Sequence, residues 1–349
     1  MTLVPACRLR RRLLLAGAAC ASVSPPAFAF TTGRHEVLAF YYTWYGDPRQ
    51  HPDWRGVDTA RHKIANAPDY PVDGPYDSHS PQEIWRQLTE MKNAGITGII
   101  YSWWGIGSYE DKILPSVLRI ATQLGLSVTL YYENIFLLNG TIQPESVVKD
   151  IGYIVNKYTG AQSWLKVGNR PVIFIYTRTL NQMPTDGWHT ALEGIRASTG
   201  THVFFNAAAA DDIDLHLFDA IHRYAIVGDL LNGFKPNSSA PTGAEMLAWG
   251  TQFYGKLMER QQGFALTSLT VFPGYNDTLL GRPKPHLAPR DNGRLYTSLW
   301  QAAAAYKPDW ILITSWNEWH EGTEIEPSLQ YGSLFLDETR HYALPFLAS

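Results

Sequence analysis

Cysteine is nearly absent from this chain of 349 residues, and both copies, Cys7 and Cys20, lie near the N-terminus. The remainder can hold neither a disulfide nor a metal bound by thiolates. The histidines are scattered, and no second histidine stands at ligand spacing from His320. We therefore expect no metal and no cofactor, and a fold that is stable through burial of its core.

Signatures of several common functions are also lacking. The chain has no G-x-S-x-G elbow, which argues against acyl transfer, and no glycine-rich phosphate loop after its first predicted strand. Four of the 29 basic residues lie within residues 1–29, which leaves 25 basic residues against 32 acidic ones. Because the remaining chain is acidic and has no basic run, we expect neither nucleic acid nor an anionic membrane surface as a partner.

The N-terminal segment has the pattern of an export signal. The basic run Arg8–Arg12 precedes the apolar stretch Leu13–Val23, and Ala27–Ala29 is typical of a cleavage site. A membrane anchor is disfavoured because the apolar stretch is about half the roughly 20 residues of a spanning helix. A lipid-modified Cys20 is disfavoured because Gly17 stands where a branched apolar residue is usual. We expect a signal peptide over residues 1–29, export to the periplasm or the medium, and one catalytic domain over residues 30–349.

Short apolar runs recur along the chain, and they lack the polar alternation of a half-solvated sheet. The runs are Val37–Tyr42, Gly98–Trp103, Ser127–Tyr132, Pro171–Tyr176, His202–Asn206, Ala220–Tyr224, Ser268–Phe272 and Trp310–Ser315. Helical patterns separate them, although the one between the fifth and sixth runs is short. This alternation predicts an α/β fold, a single (β/α)8 TIM barrel with extended βα loops; a doubly wound open sheet is the alternative.

Residues that follow the strands of such a barrel meet at one mouth, where these barrels carry their chemistry. Aromatic residues make up 13% of this chain, and aromatic rings stack on the apolar faces of sugars. Rings, amides and carboxylates crowd the predicted strand ends, which a Trp-rich core alone would not explain. The candidate substrate-binding residues are Trp44, Tyr45, Trp103, Trp104, Glu133, Tyr275, Trp316 and Asn317.

Two glutamates after the last predicted strand are the candidate catalytic residues. Glu318 and Glu321 are three positions apart, so a turn or helix puts them on one face, with Cβ atoms roughly 5 to 6 Å apart. Two carboxyl groups at such a spacing suit the hydrolysis of a glycosidic bond, one as acid and one as base. The spacing leaves open whether the base attacks carbon or removes a proton. A solvated acidic turn is the alternative, which Trp316 and Trp319 disfavour.

Four segments resemble glycoside hydrolase family 99, whose members are endo-acting α-mannosidases and α-mannanases on (β/α)8 barrels. The segments are Tyr41–Pro48 (YYTWYGDP), Tyr101–Gly105 (YSWWG), Pro273–Asp277 (PGYND) and Asn317–Pro327 (NEWHEGTEIEP). They extend from the first predicted strand to the last. The segment at residues 221–224 does not obviously match the family pattern, so substrate specificity is less well defined than reaction class.

The resemblance implies retaining cleavage without a metal, through the 2-hydroxyl of the substrate. Glu318 would remove the proton of that hydroxyl, and its oxygen would attack the anomeric carbon to form a 1,2-anhydro sugar. Glu321 would protonate the leaving oxygen and then deprotonate water. Tyr275 and Tyr45 would bond near the reacting ring, Trp104 would stack on a sugar, and Glu133 would hold hydroxyl groups.

We therefore expect an exported, endo-acting hydrolase of an α-mannoside or a related α-linked polysaccharide or glycan. A retaining glycosidase with a covalent glycosyl-enzyme intermediate is one alternative. A carbohydrate-binding barrel without catalysis is another, because it would keep the aromatic mouth, although it would not need both glutamates.

Overall fold

The structure is a computed structural model that describes residues 35–46, 53–134, 142–209, 213–234 and 241–349. The predicted signal peptide lies outside these segments. Among the helices within them, none combines the length and the apolar character that a membrane crossing requires.

Eight parallel strands form the barrel, and each overlaps one of the predicted runs; the two-residue strand Lys166–Val167 pairs antiparallel with the fourth of them. They are β1 (Glu36–Tyr41), β2 (Gly98–Trp103), β3 (Ser127–Tyr132), β4 (Arg170–Ile175), β5 (Phe204–Ala208), β6 (Ala220–His222), β7 (Ser268–Val271) and β8 (Trp310–Ile313). The hydrogen-bonded order is β6-β5-β4-β3-β2-β1-β8-β7, so the first and last strands of the chain are neighbours. The predicted barrel is confirmed, and the open doubly wound sheet is excluded.

Strands β6 and β7 stand at the two ends of this order, and separate hydrogen bonds draw them together. Ser268 Oγ donates to the carbonyl of Ile221 at 3.1 Å, and the Thr270 hydroxyl donates to the carbonyl of Arg223. These side-chain bonds replace a backbone ladder among the described residues, so the barrel is nearly closed at this seam.

Helices cover the outside of the barrel. They are α1 (Pro81–Asn93), α2 (Tyr109–Leu124), α3 (Pro144–Lys157), α4 (Thr177–Asn181), α5 (Thr185–Thr199), α6 (Val227–Gly233), α7 (Gly243–Arg260), α8 (Arg294–Ala305) and α9 (Leu334–Leu347). Helix α1 begins at an N-cap, where Ser80 Oγ accepts a hydrogen bond from Glu83 N at 3.3 Å. The β5–β6 connection, for which the sequence predicts only a short helix, holds the 3₁₀ turn Leu215–Leu217 in its described part.

The barrel interior is apolar at the level of its strands. Alternate residues of a strand point inward, and Phe40 and Phe174 meet there with ring centroids 6.4 Å apart. Trp310 stacks on Phe174 at 6.0 Å. We call these three side chains, Phe40, Phe174 and Trp310, the apolar plug. They fill the barrel interior, so a ligand has to enter at the C-terminal ends of the strands.

Long connections after β1, β7 and β8 build up one side of the mouth, as the prediction of extended loops requires. The loops after β1 and β8 are tied together, because Tyr76 OH donates to Glu326 Oε2 at 2.7 Å. Trp54 Nε1 in turn donates to the carbonyl of Tyr76 at 2.7 Å. The loop that carries Glu318 and Glu321 is therefore held by contacts with the loop after β1 as well as by its attachment to β8.

Candidate active site

A cavity of about 620 Å³ opens at the C-terminal ends of the strands. Six of the predicted site residues line it: Trp44, Trp104, Glu133, Tyr275, Glu318 and Glu321. They come from the ends of β1, β2, β3, β7 and β8. Residues that are far apart in the sequence therefore meet around one space.

The loop after β8 turns sharply at the two glutamates. Glu321 N donates to the carbonyl of Glu318 at 3.3 Å, and Thr323 N donates to the same carbonyl at 3.3 Å. Gly322 then adopts a φ of +58°, and a Cβ there would lie 2.8 Å from Pro68 Cγ. Glycine is required at this position, both for the left-handed conformation and for the close approach.

Glu318 is the more enclosed of the two carboxyl groups. Its Oε1 accepts a hydrogen bond from the backbone N–H of His320 at 3.2 Å, and the Glu318 N–H donates to Ser315 Oγ at 2.7 Å. Burial raises the pKa of the Glu318 carboxyl well above its ordinary value, and nearby Glu321 and Glu133 raise it further.

Glu321 lies at the same cavity with a cationic partner. Arg282 Nη2 donates to Glu321 Oε1 at 2.7 Å. The other terminal nitrogen of Arg282 donates to Tyr275 OH at 2.8 Å and to Asp277 Oδ2 at 2.7 Å. Since Asp277 is fully buried, it anchors a guanidinium that reaches both Tyr275 and Glu321.

Glu133 lies at the end of β3 on the opposite wall. Burial raises the pKa of its carboxyl to about 8. Its Oε1 has no hydrogen-bond partner among the described residues. Ser102, which lowers this pKa by hydrogen bonding, also accepts a bond from Trp104 Nε1 at 2.9 Å.

Two of the predicted tryptophans form an aromatic wall of the cavity. The ring centroids of Trp44 and Trp104 lie 6.1 Å apart, and Trp44 stacks parallel to the His320 ring at 6.2 Å. Flat rings that face a polar cavity are suited to a sugar, because they cover its apolar face while polar groups reach its hydroxyls.

The other four predicted residues do not line the cavity. Tyr45 OH donates to the carbonyl of Asn317 at 2.8 Å, and the Asn317 side chain bonds both backbone polar groups of Tyr42. Trp103 and Trp316 belong to the core between the strands and the helices. Adjacent strand residues point to opposite faces, so Trp103 bonds Asp111 on α2 while Trp104 faces the cavity.

Sequence reasoning missed several residues of the cavity wall. They include Tyr131, Arg178, His222, Arg223 and Arg282. The alternation of inward positions could have found two of them, because Tyr131 stands two residues before Glu133 and His222 two residues before Tyr224. Arg282 lies in the loop after β7, where no strand period applies.

The described residues contain no group of three or more histidine, cysteine, aspartate or glutamate side chains that could hold a metal ion. The polar side chains that line the cavity carry carboxyl, phenol, imidazole and guanidinium groups. They can exchange protons and donate or accept hydrogen bonds.

Known proteins similar to this chain carry mannosidase names. A mouse glycoprotein endo-alpha-1,2-mannosidase-like protein is 26% identical over 371 residues, which cover 89% of this chain and 76% of the relative. The glycoprotein endo-alpha-1,2-mannosidase of Xenopus laevis is 28% identical over 340 residues, with coverage of 86% and 71%.

A solved structure shares the fold. The GH99 endo-alpha-mannosidase from Bacteroides thetaiotaomicron superposes with a TM-score of 0.68 at 23% identity, covering 89% of this chain and 97% of the other. The sequence model of glycosyl hydrolase family 99 matches residues 33–338, from before β1 into α9. The family resemblance of the four segments is thereby confirmed, and the chain is a glycoside hydrolase of family 99.

Proposed function

We propose that this chain is a retaining, endo-acting hydrolase of α-mannoside linkages in a polysaccharide or glycan, and that cleavage passes through a 1,2-anhydro sugar. The observation that carries the proposal is the pair Glu318 and Glu321, which line one cavity in different surroundings. The mannosidase names of its relatives support α-mannoside as the substrate class.

In the first step, the carboxylate of Glu318 takes the proton of the 2-hydroxyl. The O2 oxygen attacks the anomeric carbon, the glycosidic bond breaks, and the leaving oxygen takes the proton of Glu321. In the second step, Glu321 takes a proton from water, the water oxygen attacks the anomeric carbon and opens the anhydro ring, and O2 recovers its proton from Glu318. The anomeric carbon is inverted twice, so the configuration is retained.

Glu318 has to be ionised for this role, although burial raises the pKa of its carboxyl. A 2-hydroxyl that donates a hydrogen bond to Glu318 favours the charged form, and so does the positive charge that develops at the anomeric carbon. Bound substrate thus supplies the stabilisation that the buried carboxylate lacks without it.

The remaining lining residues have supporting roles in this proposal. Trp44 and Trp104 stack on sugar rings, Tyr275 bonds near the reacting ring, and Glu133 holds hydroxyl groups. Tyr45, Asn317, Trp103 and Trp316 position the loops and walls from behind, because their polar atoms or rings contact protein rather than the cavity.

Product analysis by NMR tests the reaction. α-1,2-, α-1,3- and α-1,6-linked mannans are incubated with the protein, and the anomeric configuration of the first-formed reducing end is recorded. We expect internal cleavage of one linkage with an α product. A β product would rule out retention, and no cleavage of any of the three mannans would rule out α-mannoside as substrate.

The route through the anhydro sugar has its own test. A synthetic 1,2-anhydro mannoside should be hydrolysed by the protein. If azide instead rescues a Glu318→Ala variant and yields a glycosyl azide of inverted configuration, Glu318 is a nucleophile and the intermediate is a covalent glycosyl-enzyme.

We also propose that residues 1–29 direct export and are removed. The pattern of basic, apolar and small residues supports this. Mass spectrometry of the protein from periplasm and medium should give an N-terminus at Phe30, whereas an intact N-terminus in both fractions would contradict it.

A further inference from the structure

Polar atoms without a partner cluster at the bottom of the cavity. Tyr131 OH, Glu133 Oε1 and His222 Nε2 are buried, lie on residues that line the cavity, and have no hydrogen-bond partner among the described residues. We call these three side chains the polar floor. Other buried tyrosines of the barrel, such as Tyr132, have protein partners.

The polar floor is rigidly held by the apolar plug beneath it. The Tyr131 ring lies edge-on to Phe40 at 4.9 Å, and the His222 ring lies edge-on to Phe174 at 5.0 Å. Tyr131 and His222 also contact each other, with ring centroids 5.6 Å apart. Their polar atoms therefore keep fixed positions, which selective recognition of a ligand requires.

His222 can act only as a neutral hydrogen-bonding group. Burial lowers the pKa of its imidazole to about 3. Nδ1 lies 3.0 Å from the side-chain amide of Asn206, so Nε2 is the ring nitrogen that remains for a ligand. Tyr131 OH can donate or accept. Together they suit a hydroxyl-bearing, uncharged ligand rather than an anion.

We propose that Tyr131 and His222 bind hydroxyl groups of the sugar that lies deepest in the cavity, and that they select against sugars that lack those hydroxyls. This rests on the proposed hydrolase function and names what the site recognises. A buried polar atom that is left unpaired in a complex weakens binding. A deoxy sugar would leave the polar floor unpaired, whereas the complete sugar satisfies it.

The expected selectivity is large. Sites that hydrogen-bond a substrate hydroxyl reject analogues without it by up to about 10⁴- to 10⁵-fold. For a single neutral bond we expect about 10- to 100-fold in kcat/KM. Removal of the Tyr131 hydroxyl or the His222 imidazole should lower kcat/KM for the complete substrate. The kcat/KM for the matching deoxy analogue should stay nearly the same.

Tyr131→Phe is the sharpest variant, because it removes a hydroxyl that has no protein partner. Its matched control is Tyr132→Phe on the adjacent residue, whose OH donates to Asp150 Oδ2 at 2.9 Å away from the cavity. His222→Phe is the second variant, since it keeps a ring against Phe174. Substrates are the cleaved α-mannoside and its analogues that each lack one hydroxyl other than the reacting 2-hydroxyl.

We expect Tyr131→Phe to keep the wild-type Tm, to lose about 10- to 100-fold in kcat/KM, and to stop discriminating against one deoxy analogue. Tyr132→Phe should lower Tm and leave the discrimination unchanged. Wild-type discrimination in both Tyr131→Phe and His222→Phe would overturn the proposal.

Binding separates this proposal from the proposed function. Calorimetric titration with α-linked manno-, gluco- and galacto-oligosaccharides does not depend on turnover. If the wild-type protein cleaves no mannoside, the hydrolase proposal fails, but weaker binding to Tyr131→Phe still supports the polar floor. Equal binding by the wild-type protein and both variants, or no binding of any neutral sugar, overturns it.

Discussion

Four glutamates of the loop after β8 fall into two pairs with different surroundings. Glu318 and Glu321 line the cavity, whereas Glu324 and Glu326 are buried in the protein. Glu326 accepts from Arg86 Nη2 at 2.7 Å, and also from Gln87, Tyr76 and Trp319. Glu324 contacts Arg290, whose Nη1 donates to the Glu324 carbonyl at 2.7 Å.

The two pairs differ in what lies around each carboxyl group. Glu326 has the part-buried Arg86 and three further donors. Glu324 has the buried Arg290 on one oxygen, and its Oε2 has no partner among the described residues. A charge taken out of water needs such partners. Burial still raises the pKa of Glu326 to about 7.

Glu318 has one backbone donor, and the His320 imidazole Nδ1 lies 3.5 Å from its Oε1. What separates Glu318 and Glu321 from the structural pair, Glu324 and Glu326, is that both line the cavity, where a bound molecule can reach them.

Substitution of Glu318 or Glu321 should lower the turnover of the protein without lowering its stability. We expect Glu318→Gln and Glu321→Gln each to reduce kcat by about 10²- to 10⁴-fold, because each loses a proton-transfer group. Tm should change little, since neither substitution breaks a buried arginine pair. Steady-state kinetics and thermal unfolding check this, and unchanged turnover would remove the residue from the mechanism. Glu326→Gln is the control, and it should lower Tm more than it lowers kcat.

The structural pair should show the opposite pattern. Arg290→Met leaves Glu324 as an uncompensated buried charge, and we expect a loss of about 3–5 kcal/mol in the free energy of unfolding. Chemical denaturation measures it. The double variant Arg290→Met with Glu324→Leu should recover part of the loss, and no recovery would mean that the pair is not the cause.

Arg282 combines features of both pairs, because it is an arginine bonded to Glu321, a glutamate that lines the cavity. In the proposed mechanism, it stabilises the carboxylate that forms when Glu321 gives its proton to the leaving oxygen, so Arg282→Gln should lower kcat/KM by about 10- to 100-fold on a sugar leaving group. A glycosyl fluoride, whose leaving group needs no proton, should show a smaller loss. Equal losses on both substrates would contradict this role, and Arg294→Gln on the surface is the control.

Glu133 should make the stability of the protein depend on pH. Its pKa is raised from 4.5 to about 8 in the folded protein, so the folded state holds a proton that the unfolded state releases. The free energy of unfolding should therefore fall as the pH rises from about 4.5 to about 8 and level off above that. Glu133→Gln should remove part of this decline, and an unchanged slope would contradict the raised pKa.

Local sequence patterns predicted much of this architecture. Apolar runs without alternation predicted all eight strands, because strands covered on both faces have no polar side. The spacing and aromatic neighbours of Glu318 and Glu321 predicted their common site, since a tight turn brings such residues to one face. The short helical pattern between the fifth and sixth runs corresponds only to a 3₁₀ turn in the described part of that connection.

The choice among adjacent aromatic residues needed the folded chain. Trp103 and Trp104 look equivalent in the sequence, yet the direction of the strand puts Trp103 under α2 and Trp104 at the cavity. Likewise, a glutamate is an ion-pair partner or a cavity group according to whether a distant arginine reaches it.

The chain's local patterns were thus enough to establish the barrel, its mouth and the glutamate pair, because each depends on neighbours within a few residues. The polar floor, the Asp277–Arg282–Glu321 contact and the arginines that pair with Glu324 and Glu326 join segments far apart in the chain. They depend on which side chains the closed barrel brings within hydrogen-bonding distance, and packing of the whole fold sets those distances.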